Sequence, residues 1–527
     1  MSRRLSEFFT QEVAAKSGLI ATEGTTDPLV TGLEYDSRNV KNGSLFFALP
    51  GLHTDGSFYI EDAIAKGASV IVHENEEIKK NPDIVFLKVK NSRFAMSPVS
   101  SAFFDYPSKR MLVTGVTGTE GKSTTVYLIW QFLTLLGKKA GFFSTVQQCF
   151  GGEVLWNSEH QTTPEAPVVQ RLLREMADNG CEYAVVEASS HGLSKLTNRL
   201  GDVEFCSAVF TNVTHEHLEF HGTWEQYRDD KANLFRALDR YAPPAESSFS
   251  EPFGVINADD KSSRFFAEVT RHKTFSFSSE GKEKGEKAAL VLTAIESHAQ
   301  GNRYTVFVPA QDEYIEIEDR LPGAFNSRNV MAALLTVSGL LDLPVREIAP
   351  YVNSLKPVRG RMTAVNMGQP FEVLVDYAHT PSSFQTIFPP LRERLNKTGG
   401  KIISLFGSAG ERDTKKRGEQ GKIAAAYSDI IVLTDEDPRG ENPMDILEEI
   451  ASGINADNTG FIRGENLFLI PDRPTAIRKA LSLAQKGDLI LLLGKGHENS
   501  IIYADHIMPF DEITEAGKAL GEMGYRN

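Results

Sequence analysis

Short apolar runs closed by polar or glycine-containing turns alternate with longer stretches in which apolar residues recur every three or four positions. The first pattern reads as buried strands and the second as amphipathic helices. In the N-terminal part, "SLFFALPG" (44–51) and "ASVIVHE" (68–74) predict strands, and "YIEDAIAKG" (59–67) predicts a helix between them, a small α/β unit. The middle opens with the strand pattern "KRMLVTGV" (109–116) and the helix pattern "KSTTVYLIWQFLTLLG" (122–137), closed by Gly137. "CEYAVVEAS" (181–189), "FCSAVFTNV" (205–213) and "FGVINA" (253–258) supply further strands. Strands alternating with helices require parallel sheets, so the fold class is α/β.

Two seams divide the chain. "SPVSSAFFDYPSKR" (97–110) and "SLKPVRGRM" (354–362) bring Pro, Ser and Gly between periodic stretches and read as connections. Three domains follow: 1–107, 108–355 and 356–527. The last is the most regular. "FEVLV", "KIISLF", "DIIVL", "LFLI" and "DLILLL" run into "DYAHTP", "GSAGERD", "TDEDPRG", "PDRP" and "GKGHE". Turns at the opposite strand ends carry no such density of charge. Ligands of open parallel sheets bind outside the carboxyl ends of the strands, so these clusters mark a ligand-reading edge.

Composition narrows the class. The 527 residues carry a net charge of −14, which argues against a surface built for nucleic-acid backbones or anionic membranes. An anionic ligand must then be held locally, by a few amides and cations. The three cysteines, Cys149, Cys181 and Cys206, have neither metal-ligand spacing nor the number for a disulfide framework, as expected in a reducing cytosol. No stretch approaches a membrane span and "MSRRLSEFF" lacks the apolar run of an export signal, so a cytoplasmic protein is expected.

"VTGVTGTEGKSTT" (113–125) joins a strand to a helix. The strict phosphate-loop pattern wants Gly at the position of Val116, and Gly115 and Gly118 flank it instead. The physics survives: amides of a glycine-rich loop and a helix N-terminus face an anion, Lys122 adds a mobile cation, and Ser123 offers a hydroxyl to Mg2+. Farther on, "VVEASSHGL" (185–193) and "THEHLEFHGTWEQYRDDK" (214–231) bring an acid, histidines and Lys231. A lone histidine in such a stretch is more often a packing residue than a ligand.

Taken in order, these motifs resemble the Mur ligases, ATP-dependent amide-forming enzymes of peptidoglycan synthesis, and within them the muramyl-tripeptide synthetase branch. The resemblance covers nearly the whole chain. It implies a three-domain α/β fold with an N-terminal UDP-sugar-binding domain, a central P-loop parallel-sheet ATPase domain and a C-terminal Rossmann-like amino-acid-binding domain. Gly118, Thr119, Gly121, Lys122, Ser123 and Thr124 are implied to hold ATP, with Asn329 from "GAFNSRNVMAAL", Arg361 from "VRGRM" and Asp376 from "VDYAHTP". Glu120 stands where the family commonly carries Asn. Ser123, Glu187, His217 and Lys231 as a carbamate are implied to hold magnesium, and Lys122, Glu187, His217 and Lys231 to serve catalysis. Carbamylation makes sense physically, because it turns an ammonium that titrates near 10.4 into an anion able to bridge metal ions.

Ser37, His53 and Thr54 of "YDSRNVKNGSLFFALPGLHTDG", Thr162 and Thr163 of "QTTPEA", Ser189, and Arg199 ending "SKLTNR" are implied to bind the UDP-muramyl-peptide. Arg412, Asp437, Arg439, Gly494 and Glu498 are implied to bind the amino acid. Enzymes of the branch that add meso-diaminopimelate usually read Asp-Asn-Pro-Arg, and here the Asn position is Asp437. An aspartate can pair with the distal ammonium of a diamino acid but repels a distal carboxylate, which favours L-lysine or L-ornithine over diaminopimelate. A second use of Asp437 is to cap the helix of "ENPMDILEEI". The implied enzyme is a monomer that joins a diamino acid to UDP-muramyl-dipeptide and binds neither nucleic acid nor membrane. The competing readings are a related ligase of glutamate on folate or of D-Ala-D-Ala, a P-loop NTPase switch, and a non-catalytic nucleotide-sugar module. A switch would hydrolyse nucleotide without an amino acid, and a module leaves the phosphate loop and Lys231 without a use.

Overall fold

The computed structural model describes residues 1–50, 55–76, 81–157, 161–214, 218–243, 249, 251–281, 288–298, 301–455 and 460–526. Two compact units share the chain, one made of residues 1–293, 306–315 and 328–351 and the other of 294–305, 316–327 and 352–527.

The first unit begins with a five-stranded sheet in the order Leu19–Glu23, Val85–Val89, Val70–His73, Ser44–Phe47, Gly32–Glu34. Its last four strands run parallel and Leu19–Glu23 is antiparallel at the edge. The stretch read as a seam at 97–110 is partly helical, since helix Ser92–Phe103 runs through Pro98. Asn91 caps this helix by accepting from the Phe94 amide at 2.7 Å. The serines that looked like linker residues face inward: Ser97 Oγ accepts from the Asp202 amide at 3.0 Å, and Ser101 Oγ donates to the Asp202 carbonyl at 3.4 Å.

The same unit holds a second sheet whose parallel strands follow the order Ala140–Phe143, Tyr183–Glu187, Leu112–Thr117, Ser207–Phe210, Phe253–Asn257, Thr274–Ser278. Leu112–Thr117 and Tyr183–Glu187 are buried along their whole length on neighbouring tracks, so their carboxyl ends open side by side. Helices Lys122–Leu135, Ala166–Asp178 and Trp224–Leu238 bury apolar stripes against it. An antiparallel hairpin, Gln147–Cys149 with Val154–Trp156, ends the sheet on one side. The apolar pattern missed this hairpin because its strands are three residues each and half exposed.

In the second unit a six-stranded sheet has the order Thr363–Ala364, Glu372–Asp376, Leu489–Leu493, Ile402–Phe406, Ile430–Leu433, Leu467–Leu469. Five of these are the expected apolar runs, and all five pair in parallel. Phe384, Phe388, Ile423, Ile446 and Ile450 of three helices pack on one face. Ile477, Leu481, Ala516 and Leu520 of helices Arg473–Leu483 and Glu512–Glu522 pack on the other. The sheet is doubly wound, and every charged cluster expected at a strand's carboxyl end is there.

Candidate active site

The phosphate loop is shaped by two glycines. Gly121 has φ +81° and precedes helix Lys122–Leu135, and a Cβ on it would stand 2.5 Å from Asn329 Oδ1. At Gly118 a Cβ would come within 1.9 Å of Thr211 Oγ1. The segment after strand Ser207–Phe210 therefore presses directly on the loop. Thr211 Oγ1 donates to the Glu120 carbonyl at 2.6 Å, Asn212 Nδ2 donates to the same carbonyl at 3.2 Å, and Asn212 Oδ1 accepts from the Glu120 amide at 3.0 Å. The first helical hydrogen bond runs from the Thr125 amide to Gly121 O at 2.9 Å. The amides of Lys122, Ser123 and Thr124 belong to the first turn, whose N–H groups lack intrahelical acceptors and favour an anion. Asn329 meets this helix from Asn326–Leu341, its Oδ1 3.3 Å from Thr125 Oγ1.

Two expected magnesium ligands meet. Ser123 Oγ donates to Glu187 Oε2 at 2.8 Å, and Glu187 is almost fully buried at the end of its strand. Thr145, which no motif had singled out, holds the same carboxylate with its amide at 2.8 Å and its hydroxyl at 3.0 Å. Lys231, on helix Trp224–Leu238, is buried, with Nζ 2.6 Å from Gly118 O and 4.3 Å from the centre of the Tyr227 ring. Lys122 Nζ lies 2.8 Å from the Thr119 carbonyl. Hydroxyl and carboxylate oxygens at hydrogen-bond distance are donors of the type a hard cation such as Mg2+ takes. Among the described residues no three His, Cys, Asp or Glu side chains group as a metal site. His217 lies outside the described residues.

Above these groups opens a cavity of about 310 Å³, whose walls join Thr119, Lys122 and Lys231 to Thr162, Thr163, Ser189 and Arg199. The phosphate-loop residues and the expected muramyl-peptide residues thus face one space. Thr163 Oγ1 donates to the Glu187 carbonyl at 2.9 Å and accepts from the Ser189 amide at 3.0 Å, which fixes the strip to the end of strand Tyr183–Glu187. Arg199 donates to Thr163 O at 2.7 Å and to Glu165 Oε1 at 2.8 Å, and Arg93 reaches the same oxygen at 3.0 Å. Glu165 lies inside "QTTPEA", but nothing in the sequence announced its buried ion pair with Arg199. Behind the wall, Ser190 Oγ, His221 and Asp230 form a buried chain, with contacts of 3.1 Å and 2.8 Å. Ser37 lies in a short 3-10 turn, Ser37–Asn39, where its carbonyl accepts from Lys66. His53 and Thr54 lie outside the described residues.

The second unit carries the other expected residues at its strand ends. Asp376 is buried and accepts from the Met362 and Ala378 amides, each at 2.7 Å. Burial pushes its carboxyl up, against the pull of Arg361 and those amides. Arg361 stacks over the Tyr377 ring at 4.8 Å. Gly494 stands against Glu436, whose Oε2 is buried with no hydrogen-bond partner. Arg439 adopts φ +54°, and its Nε likewise has no partner. Arg412 is exposed, while Arg417, five residues on, is buried and braces Glu441 and Glu449, each at 2.9 Å. Asp437 does not cap the helix Pro443–Asn455. Its Oδ1 lies 2.8 Å from Lys495 Nζ, and Glu498 accepts from the same ammonium.

The chain matches the Mur ligase middle domain over residues 116–337, the Mur ligase glutamate ligase domain over 360–496, and the Mur ligase family catalytic domain over 29–102. It is 52% identical to a UDP-N-acetylmuramyl-tripeptide synthetase of Treponema denticola, over 94% of this chain and 95% of that one. A synthetase of the same name from Roseiflexus sp. is 44% identical, over 95% of this chain and 96% of its own length. Among solved structures, a UDP-N-acetylmuramoyl-L-alanyl-D-glutamate–2,6-diaminopimelate ligase superposes with a TM-score of 0.59 at 25% identity, over 94% of this chain and 95% of that one. A MurF ligase of Thermotoga maritima in complex with ADP shares the fold, with a TM-score of 0.60 at 20% identity over 94% of this chain and 99% of its own.

Proposed function

The chain belongs to the Mur ligase family, and on that premise we propose that it joins a diamino acid to UDP-N-acetylmuramoyl-L-alanyl-D-glutamate at the expense of ATP. One observation supports this most: a single cavity is lined by the phosphate-loop residues Thr119 and Lys122, by Lys231, and by Thr162, Thr163, Ser189 and Arg199. A switch-type NTPase has no use for the peptide-side strip, and a binding module has none for the loop.

In the proposed reaction the terminal carboxylate of the muramyl-dipeptide takes the γ-phosphoryl group of ATP, giving an acyl phosphate and ADP. The amino nitrogen of the diamino acid then attacks the carbonyl carbon. The C–N bond forms, the C–O bond to phosphate breaks, and the nitrogen loses a proton. Lys122, now held on the Thr119 carbonyl at 2.8 Å, turns to the β- and γ-oxygens, where its charge stabilises the transferring group. Ser123 and Glu187 would hold a Mg2+ ion, with Lys231 as carbamate and His217 as further ligands, and that ion would offset phosphoryl charge. Thr145 fixes the Glu187 carboxylate, and Glu165 fixes the Arg199 guanidinium that faces the substrate's anionic side. L-Lysine or L-ornithine remains the proposed amino acid, with Glu436 as one carboxylate available to its distal ammonium. Asp437 has an ammonium already, whereas Glu436 Oε2 has no hydrogen-bond partner within the chain. The enzyme is proposed to act as a monomer in the cytoplasm. No helix among the described residues is long and apolar enough to cross a membrane.

Lys122→Ala tests the ligase reading. ATP-dependent turnover should vanish while binding of the UDP-muramyl-dipeptide persists, and full turnover by the variant would refute the assignment.

A further inference from the structure

Asp437 and Glu498, both expected at the amino-acid site, are joined by a cation of the chain itself. Lys495 is fully buried, its Nζ 2.8 Å from Asp437 Oδ1 and within hydrogen-bond distance of Glu498 Oε2. The Ile502 amide donates to the same Asp437 oxygen at 3.0 Å, so that atom already accepts from two donors of the chain itself. Burial works against the ammonium, and the Glu498 and Asp437 carboxylates more than offset it, holding Lys495 above its ordinary range. The backbone around it is tight: Gly496 has φ +49°, and a Cβ there would meet the Gly360 carbonyl at 2.7 Å.

We propose that Lys495 is a positioning residue of the amino-acid site, taking the place on Asp437 that a substrate ammonium would otherwise occupy and balancing its charge. Asp437 is then the fixed half of an internal ion pair rather than a reader of the amino acid. Because one lysine serves two carboxylates, the cluster keeps one negative charge in excess, which adds to that of Glu436 in favouring an ammonium over a carboxylate. This inference rests on the ligase reading for its substrate side, but the ion pair itself is testable without any substrate.

Two measurements decide it. In the substrate-free protein, Asp437→Asn removes one partner of a buried ammonium, so the thermal midpoint should fall, by about 4 °C or more. A carboxylate kept only for the substrate would leave the midpoint unchanged or raise it, and that result overturns the proposal. In the active enzyme, Asp437→Asn should shift preference from the plain diamino acid towards diaminopimelate, and Lys495→Met should shift it the other way. The double variant, which keeps the net charge of the cluster, should return to within about threefold of the parent preference. KM values for ATP and UDP-muramyl-dipeptide should stay put throughout. A double variant that shifts as far as Asp437→Asn alone overturns the proposal, since Lys495 would then not be coupled to Asp437. Should Lys495→Met not fold, the parent, Asp437→Asn and the double variant still reveal whether the two residues are coupled. Loss of ligase activity by the parent protein would sink the ligase reading and leave the midpoint measurement standing.

Discussion

Asp435, the first acid of "TDEDPRG", should cost the protein stability whenever it is charged. It is 4% exposed, its Oδ2 accepts from the Tyr503 hydroxyl at 3.1 Å, and its Oδ1 is buried with no partner. Burial raises its pKa from 3.8 to about 6, against the hydrogen bond from Tyr503 and the pull of Arg473. A folded-state pKa above the unfolded one means that the native protein holds the proton more tightly. The neutral form is therefore favoured on folding, and stability is lost as pH rises from about 4 through about 6. At about 1.4 kcal/mol per unit, a shift of roughly two units costs about 3 kcal/mol at pH 8. Asp435→Asn keeps an oxygen for Tyr503 and cannot ionise. Urea unfolding of both proteins at pH 4, 6 and 8 should show near-equal stability at pH 4 and a growing advantage for the variant, up to about 3 kcal/mol at pH 8. A difference independent of pH, or a variant weaker at pH 8, rules out a charge penalty at Asp435. If the loop serves an amino acid, the stabilised variant should also be the slower enzyme, because an unsatisfied buried carboxylate is a cost tolerated for binding.

Arg473 and Glu512 are both fully buried, and Arg473 also donates to the Asp435 and Leu493 carbonyls at 2.8 Å and 2.7 Å. Arg473→Met should cost about 3–5 kcal/mol in urea unfolding, with much of it recovered in Arg473→Met/Glu512→Leu. Gly121→Ala must place a Cβ 2.5 Å from Asn329 Oδ1 at φ +81°, so ATP affinity measured by calorimetry should collapse while UDP-muramyl-dipeptide binding is spared. Ser123→Ala removes the hydroxyl on Glu187 and should raise the Mg2+ concentration for half-maximal turnover about tenfold or more, read from a magnesium titration of phosphate release.

The fold was legible because buried parallel strands announce themselves as continuous apolar runs. All five runs of the second unit became strands, and their polar ends fell on one edge. The hairpin Gln147–Trp156 and the helix across Pro98 were not legible. One is short and half exposed, and in the other tertiary contacts to Asp202 override a local breaker. The site was legible as a set of motifs but not as pairs. Ser123 and Glu187 stand 64 residues apart in sequence, and only the adjacent strands bring their side chains to 2.8 Å. The same limit governs Asp437, since the lysine that satisfies it lies 58 residues later, inside "GKGHE". Charge in a sequence shows which residues need partners, and the fold decides whether the partner is the substrate or the protein.

Ligase chemistry meets its sharpest test in phosphate release from ATP with UDP-N-acetylmuramoyl-L-alanyl-D-glutamate, screened against L-lysine, L-ornithine and meso-diaminopimelate. Release should require both the nucleotide-sugar peptide and a diamino acid, and should be fastest with L-lysine or L-ornithine. Release from ATP alone, or none with any of the three, would contradict the proposed function.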